Sequence, residues 1–431
     1  MNNNQANRNK IVTPSQKGLR GTVEIPSDKS ISHRAAIFSA LTHAKCEIFN
    51  FSSGKDCHST LSVLKSLGVE VEFKNSKDLI LKSPKNFSAP IEILDAGNSG
   101  TTIRMMSGVL AGQDFKSTIT GDASLQKRPM KRVIAPLSQM GAEILSNDFK
   151  APLTIIGKPL QAINYVSPIA SAQVKSCILL AGLSAQGVTS VTEPYVSRDH
   201  TEIMLKYLGA NITTEGTKVS IQKSNLAPKS IHIAGDISSA AFFMATALIV
   251  PNSEIIIKNV GLNPTRTGVL DVFKNMGGNI EILDERTICG ELVGDLRVKT
   301  SDLKGTTIEG GMIPRLIDEL PVIAVVATQA EGKTIVKNAE DLRVKESDRI
   351  AVMARQLAKM GIEMQETPDG FVIEGKQILR GEAVIDTYHD HRIAMSMYVA
   401  GMVADAPIEV REFDWVDISF PEFEGLMRGL C

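Results

Sequence analysis

The sequence predicts an α/β protein of two domains, each assembled from three copies of one unit of strands and two helices, and three observations carry this. The dipeptides Leu67-Gly68, Met140-Gly141, Leu208-Gly209, Met276-Gly277 and Met360-Gly361 each close an amphipathic helix and precede an alternating strand such as Val69-Glu70-Val71-Glu72. They recur at spacings of 73, 68, 68 and 84 residues, longer than the common solenoid periods. Six small or polar clusters each lead into a short Ala-rich apolar helix: Ser27-Asp28-Lys29-Ser30, Gly97-Asn98-Ser99-Gly100, Ser171-Ala172-Gln173, Gly235-Asp236-Ile237-Ser238-Ser239, Ile317-Asp318-Glu319 and His389-Asp390-His391-Arg392. The last unit stops at Cys431 without final strands, while a strand-like segment, Lys10 to Val23, stands ahead of the first unit. Letting that segment cross over gives an N-terminal domain of residues 23–237 and a C-terminal domain of residues 1–22 with 238–431.

Composition narrows the function. Across 431 residues, 47 Lys and Arg nearly cancel 48 Asp and Glu. No global field therefore points to nucleic acid or an anionic membrane, and an anion site has to be a local concentration of charge. The cysteines, Cys46, Cys57, Cys177, Cys289 and Cys431, are odd in number and show no C-x-x-C pair. That argues for a reducing compartment and against a disulfide framework or structural zinc. The Asn-rich Met1 to Lys10 reads as a disordered polar leader, not a signal peptide. The longest apolar run, Ala240 to Val250, is too short to span a bilayer, so a cytoplasmic protein is expected, and a monomer.

In chain order, Lys29 lies in a loop and Arg34 one turn beyond Ser30, a spacing that lets Lys29, Ser30 and Arg34 converge on one anion; the alternative is an ordinary capped helix start. The loop Gly97 to Arg104 opens a helix but lacks the Gly-Lys-Ser/Thr ending of a nucleotide P-loop, which excludes ATP binding of that kind. Its backbone N–H groups can still meet a carboxylate or phosphate. Arg128, beside Pro129, offers a planar fork, or simply surface charge. Ser171 and Gln173 supply neutral hydrogen bonds, and Arg198 a second fork.

In the second half, Asp318-Glu319 precedes the apolar Leu320 to Ala327, as a helix cap or as a general base held partly out of water. Leu342 to Ile350 follows a β-branched segment and precedes the amphipathic Ala351 to Met360, so its charges fall at a strand-to-helix turn. Ser347 or Asp348 is the natural N-cap, which places Lys345 and Glu346 just outside a helix end that favours anions. Such a turn holds an anion and moves a proton, or else it is a solvated ion-pair cluster. His389-Asp390-His391-Arg392 suggests a metal site, but Arg392 would repel a cation, and anion binding fits better. No set of carboxylates is spaced for Mg²⁺, and no metal or other cofactor is expected.

Together these motifs resemble the 5-enolpyruvylshikimate-3-phosphate synthases, a family of enolpyruvyl transferases. The matching stretches are Ser27 to Ser30 with His33-Arg34, the Gly97 to Arg104 loop, Lys127-Arg128-Pro129, Ser171-Ala172-Gln173, Leu342 to Arg349 and Asp390-His391-Arg392. They lie in family order and span nearly the whole chain. The resemblance implies two domains of three βαβαββ repeats each, an inside-out α/β barrel architecture. It also implies transfer of the enolpyruvyl group of phosphoenolpyruvate to the 5-hydroxyl of shikimate-3-phosphate without cofactor, in aromatic amino-acid biosynthesis. Shikimate-3-phosphate would be held by Ser30, Arg34, Ser171, Gln173, Arg198, Asp318 and Lys345. Phosphoenolpyruvate would be held by Lys29, Gly100, Arg128, Gln173, Arg349 and Arg392. Asp318 would take the hydroxyl proton, and Glu346, helped by Lys29, would protonate the methylene carbon. Domain closure would keep water from the intermediate.

The chain departs from the family pattern at Ile418, where many members carry a Lys, and at Asp341, where many carry an Asn. Ser171-Ala172-Gln173, Ser197-Arg198-Asp199-His200 and Lys345-Glu346-Ser347-Asp348 resemble the divergent bacterial subgroup, whose glyphosate-tolerant members typically carry Ala at the position of Gly100. The Gly here therefore implies competition between glyphosate and phosphoenolpyruvate. Two other functions compete with this one. The sister transferase acting on UDP-N-acetylglucosamine usually has a reactive Cys in the loop matching Gly121 to Arg128 and an Asn after the first-loop Lys, whereas this chain has neither. A non-catalytic scaffold binding phosphorylated ligands would explain the cations but not Asp318 and Glu346 together.

Overall fold

Helix ends set the rhythm of the chain. In the computed structural model, which describes residues Asn9–Cys431, the glycines Gly68, Gly141, Gly209, Gly277 and Gly361 all have φ between +78° and +93°. The polar leader expected at Met1 to Lys10 lies, as far as Arg8, outside the described residues. Only glycine enters the left-handed region without a Cβ penalty, and each of these glycines ends its helix by the same double bond. Gly68 N donates to Lys65 O at 2.9 Å and Val69 N to Leu64 O at 3.1 Å. Equivalent pairs form at Gly141 with Ala142, Gly209 with Ala210, Gly277 with Gly278 and Gly361 with Ile362. The recurring dipeptides are therefore Schellman caps, and the chain turns from helix into strand at each one.

Three units close on themselves. The first runs through strand Leu94–Asp95, helix Gly100–Ala111, strand Lys116–Thr120, helix Lys131–Gln139 and the strands Glu143–Asn147 and Lys150–Ile156. Its first two strands pair in parallel across a helix, and its last two form an antiparallel hairpin. Asn164–Val166, Val188–Thr192, Ile212–Glu215 and Lys218–Gln222 repeat the pattern, as do Thr307–Ile308, Lys333–Val336, Met364–Thr367 and Gly370–Glu374. The other three sheets each borrow a strand from far along the chain. Ile231–His232 runs parallel to Lys45–Phe49, Arg20–Glu24 parallel to Glu254–Gly261, and Lys10–Val12 antiparallel to Ile408–Val410. The segment Lys10 to Val23 is thus two strands with two destinations. Its first residues complete the last unit, while Arg20–Glu24 opens the fourth. Between them Gly18 passes so close to Asn252 that a Cβ would lie 2.0 Å from the Asn252 carbonyl oxygen.

Contacts divide the chain into two compact units. One holds Ser27–Ala234 with Thr287–Glu291; the other holds residues up to Pro26, Gly235–Arg286 and Leu292–Cys431. Each has its own apolar core. The first helix of each repeat is buried nearly all round: every residue from Ile237 to Leu248 and from Leu320 to Thr328 is buried. Such helices have no polar face to give to water. The second helices, such as Lys131–Gln139 and Arg349–Lys359, keep one exposed face. Among the described residues no helix is long and apolar enough to cross a membrane.

Candidate active site

Within the unit of Ser27–Ala234, three buried helices begin at polar caps. Asp28 accepts from Ile31 N at 2.7 Å and Ser99 from Thr102 N at 3.1 Å, while Ser171 donates its own N–H to Glu193 at 2.7 Å. The capped ends leave Lys29, Gly100 and Gln173 at helix starts, where backbone N–H groups favour anions. Lys29 Nζ donates to Asp56 Oδ2 at 2.5 Å. Arg34 is 2% exposed, and its guanidinium donates to Thr201 Oγ1 at 2.7 Å, Ser176 Oγ at 3.0 Å and the Ser30 carbonyl at 3.0 Å. Burial lowers its pKa to about 10, which leaves it charged at neutral pH. Arg198 lies close enough to oppose that charge.

A second group forms around Gly100. Arg104 Nη1 donates to Gln173 Oε1 at 2.6 Å, Gln173 Nε2 donates to Thr101 Oγ1 at 2.9 Å, and Arg128 Nη2 donates to Asn98 Oδ1 at 2.8 Å. A Cβ on Gly100 would stand 2.7 Å from Arg104 Nη1 and 3.4 Å from Arg128 Nη1. The glycine is what lets two guanidinium groups close over a helix N-terminus.

Support comes from deeper groups. Lys175, 2% exposed, sits between Glu193 at 2.9 Å and Glu202 at 2.8 Å. Burial alone would lower the Lys175 pKa, but the two carboxylates raise it above its ordinary value. Glu193 also accepts from Ser197 Oγ at 2.7 Å, so one carboxylate fixes both the Ser171 start and the loop carrying Arg198. His33 is fully buried, with Nδ1 2.6 Å from Thr60 Oγ1. Burial, then the charges of Lys29 and Arg34, hold its pKa well below the usual value, so it is neutral.

Within the other unit, Arg349 organises the site. It is 2% exposed and reaches three carboxylates: Asp390 at 2.9 Å, Glu346 at 2.7 Å and Asp318 at 3.3 Å. Burial opposes its charge, but Asp390, Glu346 and Asp318 raise its pKa above the ordinary arginine value. Burial likewise opposes the charge on Asp390, and Arg349 holds that carboxyl below the usual range. Lys345 Nζ lies 3.7 Å from Asp318. Asp348 caps the helix Arg349–Lys359 by accepting from Ala351 N at 3.0 Å and binds Arg343 at 2.9 Å, so Lys345 and Glu346 lie just before the helix, as the turn chemistry predicted. Asp390 caps His391–Gly401 through Arg392 N at 2.9 Å, and its carboxylate is engaged by Arg349 and by Ser347 Oγ at 3.0 Å. Glu346 and Asp318 are each 18% exposed, open to solvent on one side yet tied to one guanidinium. Two partly exposed carboxylates are thereby set around a single buried cation.

The structure thus gathers Asp318, Lys345, Glu346 and Arg349 into one cluster, with Arg392 on the neighbouring helix start. In the first unit it gathers Gly100, Arg128 and Gln173, and places Arg34 against the Ser30 carbonyl, Ser176 and Thr201. Sequence reasoning passed over Arg104, although it closes the quoted Gly97 to Arg104 loop. It also passed over Lys175, whose signal was a lone charge one turn past Ser171 in an otherwise apolar helix. Asp56, Glu193 and Arg266 left no local signal. Ile418, 7% exposed at the end of the turn Phe413–Ile418, is packed inward and brings no cation.

Residues 13–427 match the family model of EPSP synthase (3-phosphoshikimate 1-carboxyvinyltransferase). A 3-phosphoshikimate 1-carboxyvinyltransferase of Petrotoga mobilis is 51% identical over 426 residues, 97% of this chain and 98% of the relative. One from a Thermoanaerobacter species is 50% identical over 415 residues, 96% of this chain and 98% of the relative. The solved EPSP synthase of Acinetobacter baumannii superposes with a TM-score of 0.87 at 42% identity, covering 98% of both chains.

Proposed function

This chain belongs to the EPSP synthase family, and we infer from its site that it transfers the enolpyruvyl group of phosphoenolpyruvate to the 5-hydroxyl of shikimate-3-phosphate, releasing phosphate. The observation that supports this best is the Arg349 cluster, where Asp318 and Glu346 share one cation and keep one side open. In this reading Glu346, helped by Lys29, protonates C3 of phosphoenolpyruvate, which leaves C2 electrophilic. The 5-hydroxyl oxygen bonds to C2 as Asp318 takes its proton. The tetrahedral adduct then loses a C3 proton and expels phosphate, regenerating the double bond. Substrate and intermediate carry charge throughout, so fixed guanidinium and ammonium groups stabilise them without reorganisation.

Each substrate has its own set of residues. Ser30, Arg34, Ser171, Gln173, Arg198, Asp318 and Lys345 would hold shikimate-3-phosphate. Lys29, Gly100, Arg128, Gln173, Arg349 and Arg392 would hold phosphoenolpyruvate, with Arg104 joining them through Gln173. The domains in this reading are residues 23–237 and residues 1–22 with 238–431, and the chain acts as a monomer. The neutral His33 and the buried Lys175 with its two glutamates keep their helix starts fixed.

Phosphate release tests the proposal: it is expected only when both phosphoenolpyruvate and shikimate-3-phosphate are present. Binding of phosphoenolpyruvate without shikimate-3-phosphate, with no phosphate released when both are present, would favour the scaffold reading. Glu346→Gln keeps the shape of the proton donor and is expected to bind both substrates while losing at least about a hundredfold in kcat. Near wild-type turnover in that variant would move the role of proton donor elsewhere.

A further inference from the structure

A chain of alternating charge runs through the second unit, and the proposed reaction uses only its last member, Arg392. Arg266 is 3% exposed, and its Nη1 lies 3.2 and 3.3 Å from the two oxygens of Glu319, which is fully buried. Its Nη2 reaches Asp236 Oδ1 at 3.4 Å and donates to Ser238 Oγ, and Ser238 in turn donates to Glu319 Oε1. Arg392 Nη1 stands 3.5 Å from the same Glu319 oxygen, the longest of these contacts to the carboxylate.

The turn that presents Arg266 is rigid. Arg266 N donates to Asn263 O at 2.8 Å, Thr265 N donates to Asn263 Oδ1 at 2.9 Å, and Pro264 lies between. Glu319 is equally fixed, at the start of the helix Leu320–Gln329. A buried carboxylate beside a cation meant for an anionic ligand is a competitor for it, because in a low-dielectric site the nearest counter-charge is held strongly. Here the competitor is already taken on both oxygens by a second arginine.

We propose that Arg266 is a positioning residue for phosphoenolpyruvate: by holding the Glu319 carboxylate with both oxygens engaged, it keeps the Arg392 guanidinium available to the incoming anion. This rests on the reading that Arg392 binds phosphoenolpyruvate. It accounts for a buried arginine in a loop that makes no other demand on chemistry, and for the long Arg392 to Glu319 distance beside the shorter Arg266 pair.

Steady-state kinetics with both substrates tests it. Arg266→Met frees Glu319 to pair with Arg392, and the KM for phosphoenolpyruvate is expected to rise at least about tenfold, the factor for one charge-assisted contact. The KM for shikimate-3-phosphate and kcat stay within about threefold, since neither depends on that contact. Adding Glu319→Gln removes the competing charge, and the double variant is expected to return the phosphoenolpyruvate KM to within about threefold of wild type. An unchanged phosphoenolpyruvate KM in Arg266→Met, equal shifts for both substrates, or a double variant no better than the single would each overturn the proposal. If Arg266→Met is not recovered folded, Glu319→Gln alone carries the test: a phosphoenolpyruvate KM at or below wild type supports the proposal, and a rise beyond about threefold overturns it. Arg392→Ala separates this idea from the reading beneath it. An unchanged phosphoenolpyruvate KM in that variant removes the assignment of Arg392, whereas a rise there with none in Arg266→Met removes only the role of Arg266.

Discussion

Gly100 is kept small by two cations, not by its backbone. A methyl group there would meet Arg104 Nη1 at 2.7 Å, the flexible end of a side chain, so Arg104 can shift and the protein still folds. The shift strains the 2.6 Å bond to Gln173 and tightens the space beside Arg128. Gly100→Ala is therefore expected to raise the phosphoenolpyruvate KM severalfold and to raise the glyphosate concentration for half-inhibition by a larger factor. Equal factors for both, measured in the same assay, would show that the methyl does not discriminate. Arg349 is the opposite case. Its removal would leave the fully buried Asp390 without its main counter-charge, at a cost of about 3–5 kcal/mol. Arg349→Met is thus expected to lower the midpoint of urea unfolding as well as activity. Residues of the first kind were legible because their neighbours in sequence carry the chemistry. Arg266, Asp56 and Glu193 were not, because each meets its partner only through distant segments.

At the scale of the element, the five Schellman caps explain why the repeat is legible in the bare sequence. A left-handed residue must end each of these helices, and glycine at that place is visible in the sequence. A Cβ added at Gly141 would meet nothing within 4 Å, so Gly141→Ala would lose only the conformational term, about 1–2 kcal/mol. At Gly361 the same Cβ would also press on Arg380 Cδ at 3.1 Å, so Gly361→Ala is expected to be the more destabilising of the two. Urea denaturation of both variants checks the order; Gly141→Ala costing more would show that crowding at Gly361 is relieved freely. The division of Lys10 to Val23 into two strands was not legible. Alternation marks a strand, but which edge it joins depends on edges left open elsewhere.

Two buried histidines give the whole molecule opposite responses to pH. His33 is held neutral, so the unfolded chain takes up a proton near 6.5 that the native state refuses, and the stability it supports is lost as pH falls below that value. His200 is buried, which disfavours its charge, but Glu291 at 2.7 Å prevails and raises its pKa. Its contribution is complete below 6.5 and is lost as pH rises through the raised native value. Denaturation midpoints between about pH 5 and 8 should show His33→Asn flattening the acid limb and His200→Asn flattening the alkaline limb. The same slope in variant and wild type would show that the native charge state has been misread. The sequence by itself determined the repeat, the helix ends and the residue types at each helix start, because backbone sterics and capping act over a few residues. The tertiary structure alone decided that the crossing N-terminal segment divides between two sheets, and which remote carboxylate neutralises which cation, because those pairings form only where the packed repeats bring distant segments within hydrogen-bond reach.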